Sequence, residues 1–194
     1  MLDKTIESLK VNNIDVVVIE KIADIKSAVE KLLEEGKEVM QMSSVTLDES
    51  GVSELINASG KYKSIKSILW SKEPNDLTPK DKTRLASVPD FAVGSVQAIT
   101  EKGEIIIASM TGSQLPAYAY GPGKVIFVVG MQKLVTDMAA AMTRLYDYVL
   151  PLESERAHKV YGVAASSVNK ILIINKEATA GRITVVIVKE AIGF

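Results

Sequence analysis

The sequence contains no cysteine, a single histidine and few aromatic residues, which occupy 5% of its 194 positions. Without thiols this chain has no disulfide framework, no Cys-ligated zinc, no thiolate-held iron–sulfur cluster and no thiol nucleophile. The one imidazole, His158, lies in Glu155-Arg156-Ala157-His158-Lys159, the charge pattern of an exposed helix face. That setting speaks against a Ser-His-Asp triad and against a transition-metal site. No carboxylate cluster has ligand spacing either, so no metal is expected. Trp70 and the scattered tyrosines do not form a base-stacking platform. Charge of one sign is also lacking: 23 Lys+Arg against 24 Asp+Glu give a formal net charge of −1, so electrostatic nucleic-acid binding is not expected. Long apolar runs are missing as well. The longest, at 16–19, 125–129 and 185–188, are strand-sized and far below the roughly 18–20 residues of a membrane span. Charges interrupt residues 1–13 every few positions, unlike the core of a secretory signal, so a soluble, cytoplasmic protein is the expectation.

What remains is 47% hydrophobic and 24% charged residues, enough for one domain over 1–194. Leu2, Ile6 and Leu9 form a helical stripe, and Val16-Val17-Val18-Ile19 reads as a strand buried on both faces. Asp24 opens a helix with Ile25, Ala28, Val29, Leu32 and Leu33 on one face, stopped at Gly36. A strand at 38–42 and a helix near 48–58 continue the alternation that marks a mainly parallel sheet flanked by helices. Pro74, Pro79 and Pro89 punctuate a helical excursion within the same domain. Beyond it, strands are expected at 93–99 and 104–108 around a hairpin turn at 100–103, then at 124–129. A long helix at 134–150 ends at Pro151, and strands at 171–174 and 183–188 close the pattern. Gly94, Gly103, Gly112, Gly121 and Gly130 fall nine residues apart, but the segments between them are unlike one another, so no solenoid is inferred.

Ligands of open α/β sheets gather beyond the carboxyl ends of parallel strands. Ser43-Ser44-Val45-Thr46 has that placement and offers Ser43, Ser44 and Thr46 either to an anion or as helix caps. Ser109-Met110-Thr111-Gly112-Ser113-Gln114 combines hydrogen-bonding Thr111, Ser113 and Gln114 with Gly112, where backbone can approach a ligand. Neither this segment nor Gly121-Pro122-Gly123-Lys124 is a phosphate-binding Walker loop. Thr100-Glu101 supplies a carboxylate that would become a nucleophile or general base if desolvated, and would otherwise be a solvated turn residue. Lys133, just past a strand, is placed either to meet an anion or to face solvent. The pocket is therefore expected from residues 43–46, 94–101, 111–114 and 121–124, with Gly94 and Gly121 shaping it. Nothing in the sequence names a cofactor.

Taken in order, Ser43-Ser44-Val45-Thr46-Leu47, Gln97-Ala98-Ile99-Thr100-Glu101-Lys102-Gly103-Glu104, Thr111-Gly112-Ser113-Gln114, Gly121-Pro122 and Val129-Gly130-Met131-Gln132-Lys133 resemble the LUD (lactate utilisation) domain family over about residues 10–190. The resemblance implies a fold of the CoA-transferase and ribose-phosphate-isomerase type. It also implies a place in lactate or related organic-acid oxidation, beside iron–sulfur oxidoreductase subunits. The family has no agreed catalytic residue to carry over. Many members carry Gly-Thr-Gly-Asn-Arg where this chain has Met110-Thr111-Gly112-Ser113-Gln114, and Asn-Lys where it has Gln132-Lys133. Losing the arginine removes a cationic fork, which leaves Lys133 as the positive charge or changes the ligand.

Three readings follow. The first is an accessory subunit binding a small anionic ligand. The second is a CoA-transferase-like enzyme whose Glu101 forms the acyl adduct. The third is a cyclo-ligase-like nucleotide binder. The apolar tail Ala191-Ile192-Gly193-Phe194 is read either as a cover for a sheet edge or as a homo-oligomer contact.

Overall fold

Helix α1 (Leu2–Val11) buries Thr5 and Leu9 and leads into strand β1 (Asp15–Ile19). The computed structural model describes residues 1–71, 73 and 76–194, so Pro74 lies outside the described residues. Next come α2 (Ile25–Glu30), β2 (Glu38–Gln41), α3 (Val45–Glu49) and α4 (Val52–Ala58). The helix expected near 48–58 is thus two, hinged at Gly51, whose φ of 72° suits a residue without a Cβ. Then follow β3 (Lys63–Ser64), α5 (Ile65–Leu69) and α6 (Pro79–Ser87). Thr78 and Asp81 cap α6 reciprocally, with Pro79 in its first turn.

The second half contains β4 (Phe91–Gly94), β5 (Ala98–Thr100), β6 (Ile105–Ser109), α7 (Leu115–Ala119), β7 (Lys124–Gly130), β8 (Leu134–Val135) and α8 (Met138–Thr143). It ends with α9 (Leu150–Tyr161), β9 (Lys170–Ile174) and β10 (Ile183–Val188). The strand expected at 93–99 is two strands in different sheets, and the one at 104–108 is β6. Leu134 and Val135 are strand rather than helix, and Pro151 does not end the helix. A π-helical segment, Arg144–Val149, joins α8 to α9, and its wider hydrogen-bond pattern tolerates a proline in the next turn.

The large sheet has six parallel strands in the order β1-β10-β7-β4-β2-β3. The fold is α/β, with helices flanking this mainly parallel sheet. A smaller sheet, β8-β5-β6-β9, has antiparallel β5–β6 and β6–β9 pairs beside a parallel β5–β8 pair. Strands β7 and β10 are interior strands of the large sheet and are buried along nearly their whole length. Each fully buried Val or Ile there stabilises the fold by roughly 1.5–3 kcal/mol relative to exposure. Strand β1 is an edge strand and only partly buried, not covered on both faces as its β-branched run suggests.

One face of the large sheet packs on Ile25, Val29, Val52, Leu55 and Ile56 from α2 and α4. The other packs on Leu9, Tyr118 and the inward residues Ile99, Ile105 and Ile107 of the small sheet. The alternate residues Ala98 and Ile106 point away and are covered by α8 through Met138, Ala141 and Met142. No helix among the described residues is long and apolar enough to cross a membrane.

Candidate functional site

Strands β2, β4 and β7 are neighbours and end at Gln41, Gly94 and Gly130 on one edge of the sheet. The segments that leave them, together with the end of β6 and the helix that follows β8, enclose a cavity of about 450 Å³. Placement beyond the carboxyl ends of parallel strands is where this architecture binds ligands.

Lys133 is the buried cation of this cavity. The three-residue turn Met131–Lys133 after β7 leaves Met131 exposed and turns Lys133 inward, to 1% exposure. Its Nζ donates to Thr46 Oγ1 at 2.9 Å and to Ser95 Oγ at 3.0 Å. Among the described residues, none of the ion pairs involves Lys133. Burial pushes its ammonium down to about 7, assisted by repulsion from Arg144 and opposed by Glu49. Arg144 is held by Gln97 O at 3.0 Å and by the Tyr148 ring at 4.9 Å, and its Nη2 is buried with no hydrogen-bond partner. Burial lowers its pKa too. This end of the sheet is therefore rich in incompletely compensated positive charge.

Two further cations line the cavity. Lys66 donates to Gln41 Oε1 at 2.8 Å, and Gln41 is itself buried and also receives Asn57 at 3.1 Å. Arg156 is clamped to Glu153 by bonds of 2.6 and 2.7 Å. The tail folds back across the strand ends. Gln132 Nε2 donates to Ile192 O at 2.8 Å and Gly193 O at 3.1 Å, and Ile192 joins the core while Phe194 reaches the cavity. The apolar tail thus lies across the carboxyl ends of the strands rather than along an edge strand.

The structure brings together Ser43, Ser44, Thr111, Ser113, Gln114 and Lys133 in the cavity wall. Thr46 stands behind, holding Lys133, and Ser44 occupies a helix-cap position without a side-chain cap bond. Gly112 adopts φ 86° and lies under the Lys170 stem, where a Cβ would come within 2.6 Å. Gly94 contributes shape: a Cβ there would meet Tyr118 Oη at 1.7 Å.

Three expected residues lie elsewhere. Thr100 is buried in the β5–β6 turn, donating to Glu104 Oε2 at 2.7 Å. Glu101 caps the same turn against α1, bound to Lys4 at 2.6 Å, while Ser8 donates to its backbone carbonyl at 2.8 Å. The Lys4 ammonium holds that carboxyl below its usual value, so it is not a desolvated base. Gly121 precedes β7 and so falls at the opposite end of the parallel sheet, packed on Ser87 O and bordering a second groove. A parallel strand cannot present both its ends to one site.

Sequence reasoning missed Gln41 and Lys66, and reached Ser95 only as part of the stretch 94–101 expected to line the pocket. Ser95 follows β4 directly, but reading 93–99 as a single strand hid that strand end. The wall supplied by Leu145, Val149 and Glu153 had no comparable signal, since it depends on how the helix folds over the small sheet.

The sequence profile of the LUD domain matches residues 2–188. The chain belongs to the LUD domain family. A crystal structure of a DUF162 family protein from Deinococcus radiodurans is similar over 96% of this chain and 95% of that chain, with TM-score 0.60 and 14% identity. That likeness speaks for the fold alone. No curated protein matches. Within this LUD domain, Ser113 and Gln114 stand in the cavity wall, and Lys133 supplies a buried cation from another strand end.

Proposed function

We propose that this LUD-domain protein binds a small organic anion in the cavity beside Lys133. In this reading it works as an accessory subunit in lactate or related organic-acid utilisation. The observation that carries it is a nearly fully buried lysine, satisfied among the described residues only by two hydroxyls, amid polar groups at the ligand-binding edge of the sheet. A buried ammonium without a carboxylate is costly, and an incoming carboxylate offsets that cost directly. Lys66 and the hydroxyls of Ser43, Ser44, Thr111 and Ser113 add donors that orient such a ligand. The absence of cysteine leaves any iron–sulfur cluster to partner subunits.

The test is calorimetry and thermal shift with lactate, other 2-hydroxy acids, nucleotides and CoA compounds. Hydroxy acids should raise the melting temperature of the wild type and leave Lys133→Met unmoved, without turnover. A flat response to the whole panel removes the proposal. Because the anion binds the protonated lysine, affinity should fall above about pH 7, approaching tenfold per pH unit. The CoA-transferase reading loses its support from the position of Glu101, which is ion-paired to Lys4 and outside the cavity wall.

A further inference from the structure

Resting on that anion-binding reading, we propose that Lys133 is a nucleophile that forms an imine with a small 2-oxo acid held in the same cavity. The geometry carries the inference. Lys133 lines a cavity of about 450 Å³, is almost completely withdrawn from bulk water, and has two hydroxyls but no carboxylate on its Nζ. Most lysines are surface cations, inert because the amine is protonated and mobile. This one is fixed at 2.9 Å from Thr46 Oγ1 and 3.0 Å from Ser95 Oγ, in surroundings that favour the neutral amine. Desolvation beside another cation is one way in which amine nucleophiles are activated. The charged groups that bear on it are Arg144, from the π-helical segment, and Glu49, from α3. Arg144 disfavours the ammonium and Glu49 favours it, and burial outweighs both, so a substantial neutral fraction exists near pH 7.

The step balances without an oxidant or reductant. The Nζ lone pair bonds to the carbonyl carbon as the π pair moves to oxygen, which takes up a proton. The nitrogen gives up its protons, the former carbonyl oxygen leaves as water, and a C=N bond remains. Thr46 and Ser95 both reach Nζ, and a hydroxyl both donates and accepts, so each can pass a proton between nitrogen and oxygen. The ligand class follows from the wall. The carbonyl carbon is needed by Lys133, and an adjacent carboxylate meets Lys66 and the hydroxyls of Ser43 and Ser44. A 2-hydroxy acid offers the same carboxylate but no electrophilic carbon, so it binds without reacting.

The experiment incubates purified full-length protein with glyoxylate or pyruvate and cyanoborohydride, which reduces imines in preference to ketones. Intact mass and peptide mapping follow, with lactate and thermal shift in parallel. For pyruvate the expected product is one adduct equal in mass to pyruvic acid less one oxygen, mapped to Lys133. It should form about tenfold or more faster than at any exposed lysine. Trapping should speed up as pH rises through about 7, opposite to the affinity for lactate, because reaction needs the neutral amine and anion binding the charged one. Thermal shifts with lactate and pyruvate but no adduct would overturn the imine and leave anion binding standing. Neither shift nor adduct would overturn both. Adducts spread over exposed lysines with none favoured would overturn the nucleophile assignment. The mapping uses wild-type protein, so it does not depend on whether Lys133→Met folds.

Discussion

Two cations among the described residues are buried, at opposite ends of the large sheet, and they are treated differently. Arg182, just before β10, is 8% exposed and satisfied on every side: Glu177 Oε2 at 2.7 Å, Pro122 O at 3.1 Å and Tyr118 O at 3.0 Å. Lys133, just after β7, is more deeply buried and, among the described residues, donates only to two hydroxyls. Burial works to raise the pKa of Glu177, but the Thr179 N–H and the Arg182 guanidinium outweigh it and hold the carboxyl low. Glu49 favours the Lys133 ammonium without pairing to it, burial outweighs that attraction, and the ammonium is pushed down instead. A buried charge with a complete set of partners ties chain segments together. One left incomplete beside a cavity is a place for a ligand.

The largest effect is expected at the satisfied end. Arg182→Met removes the guanidinium and strands Glu177 and three backbone carbonyls, those of Ala117, Tyr118 and Pro122. Denaturant unfolding should record a loss of roughly 3–5 kcal/mol, the usual cost of breaking a buried pair from one side. Lactate affinity, measured well below the melting temperature, should stay near wild type. A loss under about 1 kcal/mol would mean that the Arg182 network is not the structural tie described.

Lys133→Met should act in the opposite direction. The unfolded lysine binds a proton more readily than the folded one. Wild-type stability should therefore rise with pH from about 7 towards the ordinary lysine value, by roughly 1 kcal/mol per unit. Below about pH 7 both states are protonated and the full penalty is present. The methionine variant should lack that slope and be more stable at pH 6 by roughly 1–4 kcal/mol, while losing ligand binding. Equal slopes in the two proteins would show that Lys133 stays charged throughout.

Gly94→Ala tests whether the two ends communicate. Tyr118 accepts Arg182 through its backbone and presents its ring to the cavity, where its Oη sits over Gly94. A Cβ at Gly94 would fall 1.7 Å from that oxygen, so the ring must shift. Overpacking of this kind costs roughly 1–3 kcal/mol, and here it should also weaken ligand binding through a changed wall. Unchanged affinity alongside lost stability would remove Tyr118 from the binding surface.

Much of the large sheet was legible because β-branched runs alternate with helical stripes, and the strand-end rule led from there to Ser43, Ser44 and Lys133. The division of residues 93–99 between two sheets was not legible. Ala92, Val93, Val96, Ala98 and Ile99 are all fully buried, so hydrophobicity gives no sign of the break. The continuation of the helix through Pro151 was hidden for a related reason, since a π-helical turn leaves no periodic signature that a proline rule can anticipate. Gly121 was misplaced because loops at the two ends of a parallel sheet look alike until strand direction is known, and Glu101 because its hairpin belongs to the smaller sheet and packs on α1.

Glu101 gives the smallest expected effect and the sharpest contrast with Lys133. Its carboxylate meets a largely exposed lysine, Lys4, and the hairpin is fastened to α1 independently by Ser8 on Glu101 O and Asn12 on Lys102 O. Glu101→Gln keeps both backbone contacts and removes only two surface ion pairs, to Lys4 and to the Met1 ammonium, so the melting temperature at pH 7 should barely move. The folded carboxyl is held below its unfolded value, so the contribution it makes is present above that unfolded value. It disappears as pH falls through the folded one, and the variant should lose this small part of the acid sensitivity. Ligand affinity and imine trapping should match wild type. If Glu101→Gln instead abolished either, the chemistry would have to lie at the α1 hairpin, and the cavity beside Lys133 would be the structural feature of the two.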